Sequence, residues 1–204
     1  MEKKILTDHT SHQFNVALED IRNRVLAMGG LVEQQLADAI RALINVDSRL
    51  AEAVVTGDYK VNAQEVAIDD ECVQIIARRQ PAATDLRLII AVIKTITDLE
   101  RIGDEAERIA QMTLNLAKAV GDDRRNPHRY IEHLGEQVKR MLHEALDAFA
   151  RMDAEAAVAV WRQDFKADQE YEAITRQLMT FMMEDPRSIP KALDVMWSAR
   201  ALGR

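Results

Sequence analysis

The run Asp98-Leu99-Glu100-Arg101-Ile102-Gly103-Asp104-Glu105-Ala106-Glu107 lies within a long helical pattern and carries carboxylates at i, i+4 and i+7. Glu100, Asp104 and Glu107 therefore share one helix face. Earlier in the chain Glu65 and Asp69 repeat the device, one turn apart. Two such faces meeting would make an all-oxygen site for a hard cation, whose preferred ligands are carboxylate and carbonyl oxygens. Asp58, Asn62, Glu65 and Asp69 form one stripe on a helical wheel, with Val61, Ile68 and Ile75 on one flank and Val66 and Val73 on the other. Apolar residues on both borders predict a groove between helices, where ionised carboxylates from two helices require protons or a cation. Oxygen-only ligands favour Mg²⁺, Mn²⁺, Fe or Ca²⁺ over Zn²⁺ or Cu²⁺. The plainer alternative is a solvated charged surface on which Arg101 and Arg108 neutralise their neighbours.

Other chemistries find less support. A ferritin-like oxidase needs Glu-x-x-His on its helices, and no Glu of this sequence has His three residues later. The sequence shows no Ser/His/Asp order, Gly-rich phosphate loop or nucleophilic Cys. His9, His12, His128, His133 and His143 are scattered over helix starts and exposed faces, so no catalytic residue is assigned. Cys72 is the single cysteine and sits in a helical run, which fits a buried core thiol in a reducing compartment. A formal charge of −7 disfavours nucleic acid, since phosphate contacts need a basic surface. The polar N-terminus lacks the apolar core of a secretory signal, and no stretch approaches a membrane span of roughly 20 apolar residues. A cytoplasmic protein without membrane insertion is expected.

Seven Gly and four Pro in 204 residues, with abundant Ala, Leu, Glu, Arg and Gln, predict an all-α fold. Phe14, Leu18, Ile21, Val25, Met28, Val32, Leu36, Ile40 and Leu43 mark a first helix over about 12–46. A second is expected over about 49–78, stopped by Pro81, and a third over about 83–120. Gly121 to Pro127 has linker composition, and helices over about 128–152 and 154–183 precede a short sixth element. Asp47, Ala51, Val54, Asp58 and Lys60 match Asp153, Ala157, Val160, Asp164 and Lys166 at one offset, an internal repeat. Residues 1–121 and 128–204 are thus read as two tandem three-helix bundles, since long helices with short connections pack antiparallel. The second stops at Ala201-Leu202-Gly203-Arg204 and is expected to lack most of its last helix, leaving Ile174, Leu178 and Phe181 partly uncovered.

Glu65-Val-Ala-Ile-Asp69, Ala77-Arg-Arg-Gln-Pro-Ala-Ala-Thr-Asp-Leu-Arg87 and Leu99-Glu-Arg-Ile-Gly-Asp104 resemble the PhoU family, as do Asp168-Gln-Glu-Tyr-Glu172 and Met182-Met-Glu-Asp185. The resemblance runs from about Phe14 to Leu202, on a chain that looks truncated before the family's final helix. It implies two repeated three-helix bundles with metal held by Glu/Asp-x-x-x-Asp motifs, here Glu65, Asp69, Glu100 and Asp104, around Mg, Mn or Fe. Asp168 and Glu172 keep one side of a second site whose partner motif the chain lacks. The implied function is that of a cytosolic adaptor, often a homodimer, between a phosphate-specific ABC transporter and a membrane histidine kinase. Such a protein limits phosphate uptake and keeps the phosphate-starvation regulon off when phosphate is plentiful. The alternative from another class is a metal-dependent hydrolase or oxidase built on the carboxylate cluster.

Overall fold

The computed structural model describes residues 2–118 and 127–204, and these form helices and the turns between them, with no strand among the described residues. The expected linker from Gly121 lies, apart from Pro127 at its end, outside the described residues. The helices are α1 (Glu2–Asn45), α2 (Ser48–Gly57), α3 (Tyr59–Arg79), α4 (Ala83–Lys118), α5 (Glu132–Arg151), α6 (Ala154–Trp161), α7 (Asp164–Glu184) and α8 (Ile189–Leu202), with 3-10 turns at Pro127–Ile131 and Pro186–Ser188. Two of the expected helices are each broken once: that over 49–78 at Asp58, between α2 and α3, and that over 154–183 at Arg162-Gln163, between α6 and α7. Gly57, the poorest helix former of its stretch, precedes the first break.

The repeat is visible in the backbone itself. After α1, Val46 takes a left-handed conformation (φ 51°), and after α5 Met152 does the same (φ 54°). The Asp47 N–H then donates to the Ala42 carbonyl at 2.9 Å and that of Asp153 to Ala148 at 2.9 Å, closing matched Schellman-type ends. Each aspartate next caps the following helix, its carboxylate accepting from Leu50 N (3.0 Å) or Ala156 N (2.9 Å). One residue type thus ends a helix with its amide and starts the next with its side chain. Asp47→Ala and Asp153→Ala should each cost about 1 kcal/mol, read from urea unfolding midpoints, while the Asn variants should keep most of that.

Two compact units emerge, Met1–Val32 with Tyr59–Arg101 and Glu33–Asp58 with Ile102–Arg204, so that α1 and α4 contribute to both. In the first, α1 buries Leu18, Ile21, Val25 and Met28, α3 buries Val61, Ile68, Cys72 and Ile75, and α4 buries Ile89, Val92, Ile96 and Leu99. These follow the three- and four-residue steps of a helical stripe. Burial pushes the Cys72 thiol up to about 11, with the Asp69 and Glu71 charges adding to it, which keeps it protonated and inert. An Arg24–Glu71 ion pair joins α1 to α3.

In the second unit α5, α7 and α8 pack on one another, with Leu134, Leu142, Leu178, Val195 and Leu202 in the core. Gly135 of α5 faces Ile40 so closely that a Cβ there would stand 2.9 Å from Ile40 Cγ2, which fixes how near α5 and α1 approach. α8 runs 14 residues and α4 36. The expected exposure of α7 does not occur: Ile174, Leu178 and Phe181 are 4%, 0% and 7% exposed. Short as it is, α8 covers them, because its buried residues Ala192, Val195 and Ala199 recur at three- and four-residue steps along one face.

Candidate carboxylate site

In the second unit the C-terminal end of α2 and the middle of α4 bring three carboxylates together. Asp58, Asp104 and Glu107 each offer an oxygen, all within 4.8 Å of one another. Asp58, at the break after α2, is 6% exposed, whereas Asp104 and Glu107 are half buried one turn apart. From α1 the buried Gln35 amide donates to Asp58 Oδ1 at 2.8 Å and, at 3.4 Å, to the Gly103 carbonyl. That amide orients the Asp58 carboxylate and ties α1 both to the turn after α2 and to α4. The carboxyl of Asp104 is held above the ordinary aspartate range, first by burial and then by the Asp58 charge, against an opposing pull from Arg108.

The residues fit a hard cation. Oxygens around Mg²⁺ lie roughly 2.0–2.1 Å from the metal and around Ca²⁺ roughly 2.3–2.6 Å. Opposite ligands are then separated by up to about twice those distances, a spacing compatible with the observed cluster. A proton shared among the three carboxylates is the other way to relieve the same repulsion.

Asp104 and Glu107 stand on the face read from the sequence, and Asp58 on the stripe. Glu65, Asp69 and Glu100 belong to the other unit, each half buried, and there the Thr97 hydroxyl donates to Glu65 Oε1 at 3.4 Å. The expected groove is bordered on one side only: Val61, Ile68 and Ile75 are buried, while Val66 and Val73 are 61% and 54% exposed. α3 buries a single seam, and its far flank faces solvent. Gln35 lies outside the carboxylate pattern, and its sequence signal is an amide within the apolar spacing of Val32, Leu36 and Ala39. His133 and His143 lie on exposed faces as expected, paired with Glu170 (2.6 Å) and Glu33 (2.9 Å). Asp168 and Glu172 are exposed on α7, and Glu172 pairs with Arg176 at 3.4 Å. Among the described residues no helix is long and apolar enough to cross a membrane.

The model of the PhoU domain matches residues 25–113 and 131–204. The phosphate-specific transport system accessory protein PhoU of Edwardsiella tarda is 53% identical over 204 residues, all of this chain and 83% of that protein. The protein of the same name from Escherichia coli K12 is 52% identical with the same coverage. Among solved structures, PhoU from Pseudomonas aeruginosa superposes with a TM-score of 0.89 at 50% identity, covering 93% of this chain and 90% of that one. The phosphate transport system regulatory protein PhoU from Streptococcus pneumoniae gives 0.84 at 27% identity, covering 93% and 88%.

Proposed function

The chain belongs to the PhoU family, and from that premise we propose that it is a regulatory accessory protein of a phosphate-specific transport system, restraining phosphate uptake and the phosphate-starvation regulon when phosphate is plentiful. The observation that carries this is identity above one half, over the whole chain, with relatives named as accessory proteins of the phosphate-specific transport system. The helical architecture supports a protein acting through its surfaces. Its partners would be the phosphate ABC transporter and a membrane sensor histidine kinase, which it would meet in the cytoplasm as a homodimer.

Residues 1–121 and 128–204 are taken as the two repeats, a reading supported by the paired helix ends at Val46-Asp47 and Met152-Asp153. A hard cation (Mg, Mn or Fe) would be held by carboxylates of the family's motif, Glu65, Asp69, Glu100 and Asp104. Asp104 also belongs to the cluster with Asp58 and Glu107. Bound there, the cation would cancel the repulsion among the carboxylates, while Gln35 keeps Asp58 oriented toward the cluster.

Co-purification tests the partner assignment. With the tagged chain as bait in a phosphate-replete bacterium lacking its own accessory protein, the phosphate-specific transporter should be retained from solubilised membranes and an unrelated ABC transporter should not. Equal recovery of both, or of neither with the bait soluble and folded, would refute the assignment.

A further inference from the structure

A cleft of ≈ 320 Å³ lies between α4 and α8 of the second unit, and its chemistry is unlike the acidic chain around it. Three guanidiniums, of Arg108, Arg200 and Arg204, line it with a single carboxylate, Glu105. Glu105 accepts from Arg108 at 2.9 Å and from Arg204 at 3.2 Å, so one carboxylate pairs with two of the three guanidiniums that line the cleft. Arg200 instead lies over the Trp197 ring, 5.5 Å from its centroid, and among the described residues it pairs with no carboxylate. Side-chain charge in the cleft is therefore net positive in a chain of net charge −7. Trp197, 53% exposed, and Met112 supply an apolar wall beside the charges.

We propose that this cleft binds a nucleoside phosphate. Planar guanidiniums match phosphate oxygens two at a time, and Arg stacked on an indole offers a flat surface to which a base can be added. The volume sits at the small end of the roughly 300–1,000 Å³ typical of small-molecule sites. A lone phosphate would leave most of it, and the Trp197 wall, to water. An acidic peptide side chain would satisfy the arginines but give the indole no flat partner. The site shares no residue with the Asp58–Asp104–Glu107 cluster, and the proposal does not depend on the regulatory role.

The test is titration of the full chain with AMP, ADP and ATP, and separately with adenosine and inorganic phosphate. Calorimetry is read alongside Trp197 fluorescence in a Trp161→Phe background, Trp161 being exposed and outside the cleft. Saturable binding of at least one nucleotide is expected, at least tenfold tighter than adenosine or phosphate. Arg200→Gln and Arg108→Gln should each weaken it tenfold or more with helicity unchanged. Absence of saturable binding, phosphate binding as tightly as the nucleotides, or affinity that survives both substitutions would overturn the proposal.

Discussion

A divalent cation at a hundredfold excess over its Kd should raise the unfolding free energy of the chain by about 2.7 kcal/mol, provided it binds the folded state alone. Asp104→Asn combined with Glu107→Gln should abolish that gain, because Asp104 belongs both to the motif set and to the cluster, and the pair leaves Asp58, already engaged by Gln35, without its two companion carboxylates. The readout is urea unfolding in EDTA and in excess Mg²⁺ or Mn²⁺. The metal-free protein carries the reverse signature. The Asp104 carboxyl titrates above its unfolded value in the folded chain, so the native state takes up a proton more readily than the unfolded one. Its contribution to stability is therefore unfavourable at neutral pH, and it is relieved as pH falls through the raised value toward the ordinary range. For the same reason Asp104→Asn should be more stable than the parent in EDTA at pH 7. Metal stabilisation lost with Glu65→Gln/Asp69→Asn but intact in Asp58→Asn places the cation on the motif pairs, the reverse pattern places it at the cluster, and metal stabilisation that survives the Asp104→Asn/Glu107→Gln pair contradicts both.

Leu178→Ala should be the most damaging single substitution considered for the second unit, at about 2–5 kcal/mol. Leu178 is fully buried on α7, whose face is sealed by α8, and a truncated side chain leaves a cavity that two packed helices can close only in part. Met179, its exposed neighbour, provides the control: Met179→Ala should stay within about 0.5 kcal/mol, the usual range for surface changes. Thermal or urea midpoints for the two variants separate the expected outcomes. Similar small losses for both would mean that α8 does not seal α7.

Much of this architecture can be read from residue spacing. Of the residues marked by their three- and four-residue steps, Leu18, Ile21, Val25, Met28, Val32, Leu36, Ile40 and Leu43 are buried along α1, while Phe14 is only half buried. The repeat offset also reaches finer detail than residue similarity alone, since it relates the left-handed residues Val46 and Met152 and the capping aspartates after them. The helix breaks at Asp58 and Arg162-Gln163 were not legible, because neither carries a proline and helical periodicity continues across both. The covering of α7 is hidden from the sequence for a different reason. Burial depends on which face a short helix presents, and α8 directs its apolar residues onto α7.

The candidate site was legible in part. Asp104 and Glu107 follow from helical spacing alone, and Asp58 from the stripe it begins. Their meeting depends on tertiary packing, which brings Asp58, the first residue of its stripe, beside Asp104 and Glu107 of α4. The arginine-lined cleft had no sequence signature, since Arg108 and Trp197 are brought together by the packing of α4 and α8.

The regulatory role is tested most directly by expressing this chain in a bacterium deleted for its own phosphate-transport accessory protein and following a phosphate-starvation reporter in high phosphate. Repression to near the level set by the strain's own protein is the expected result. A reporter that stays fully on, with the chain present as soluble, helical protein at a comparable level, would contradict the assigned function.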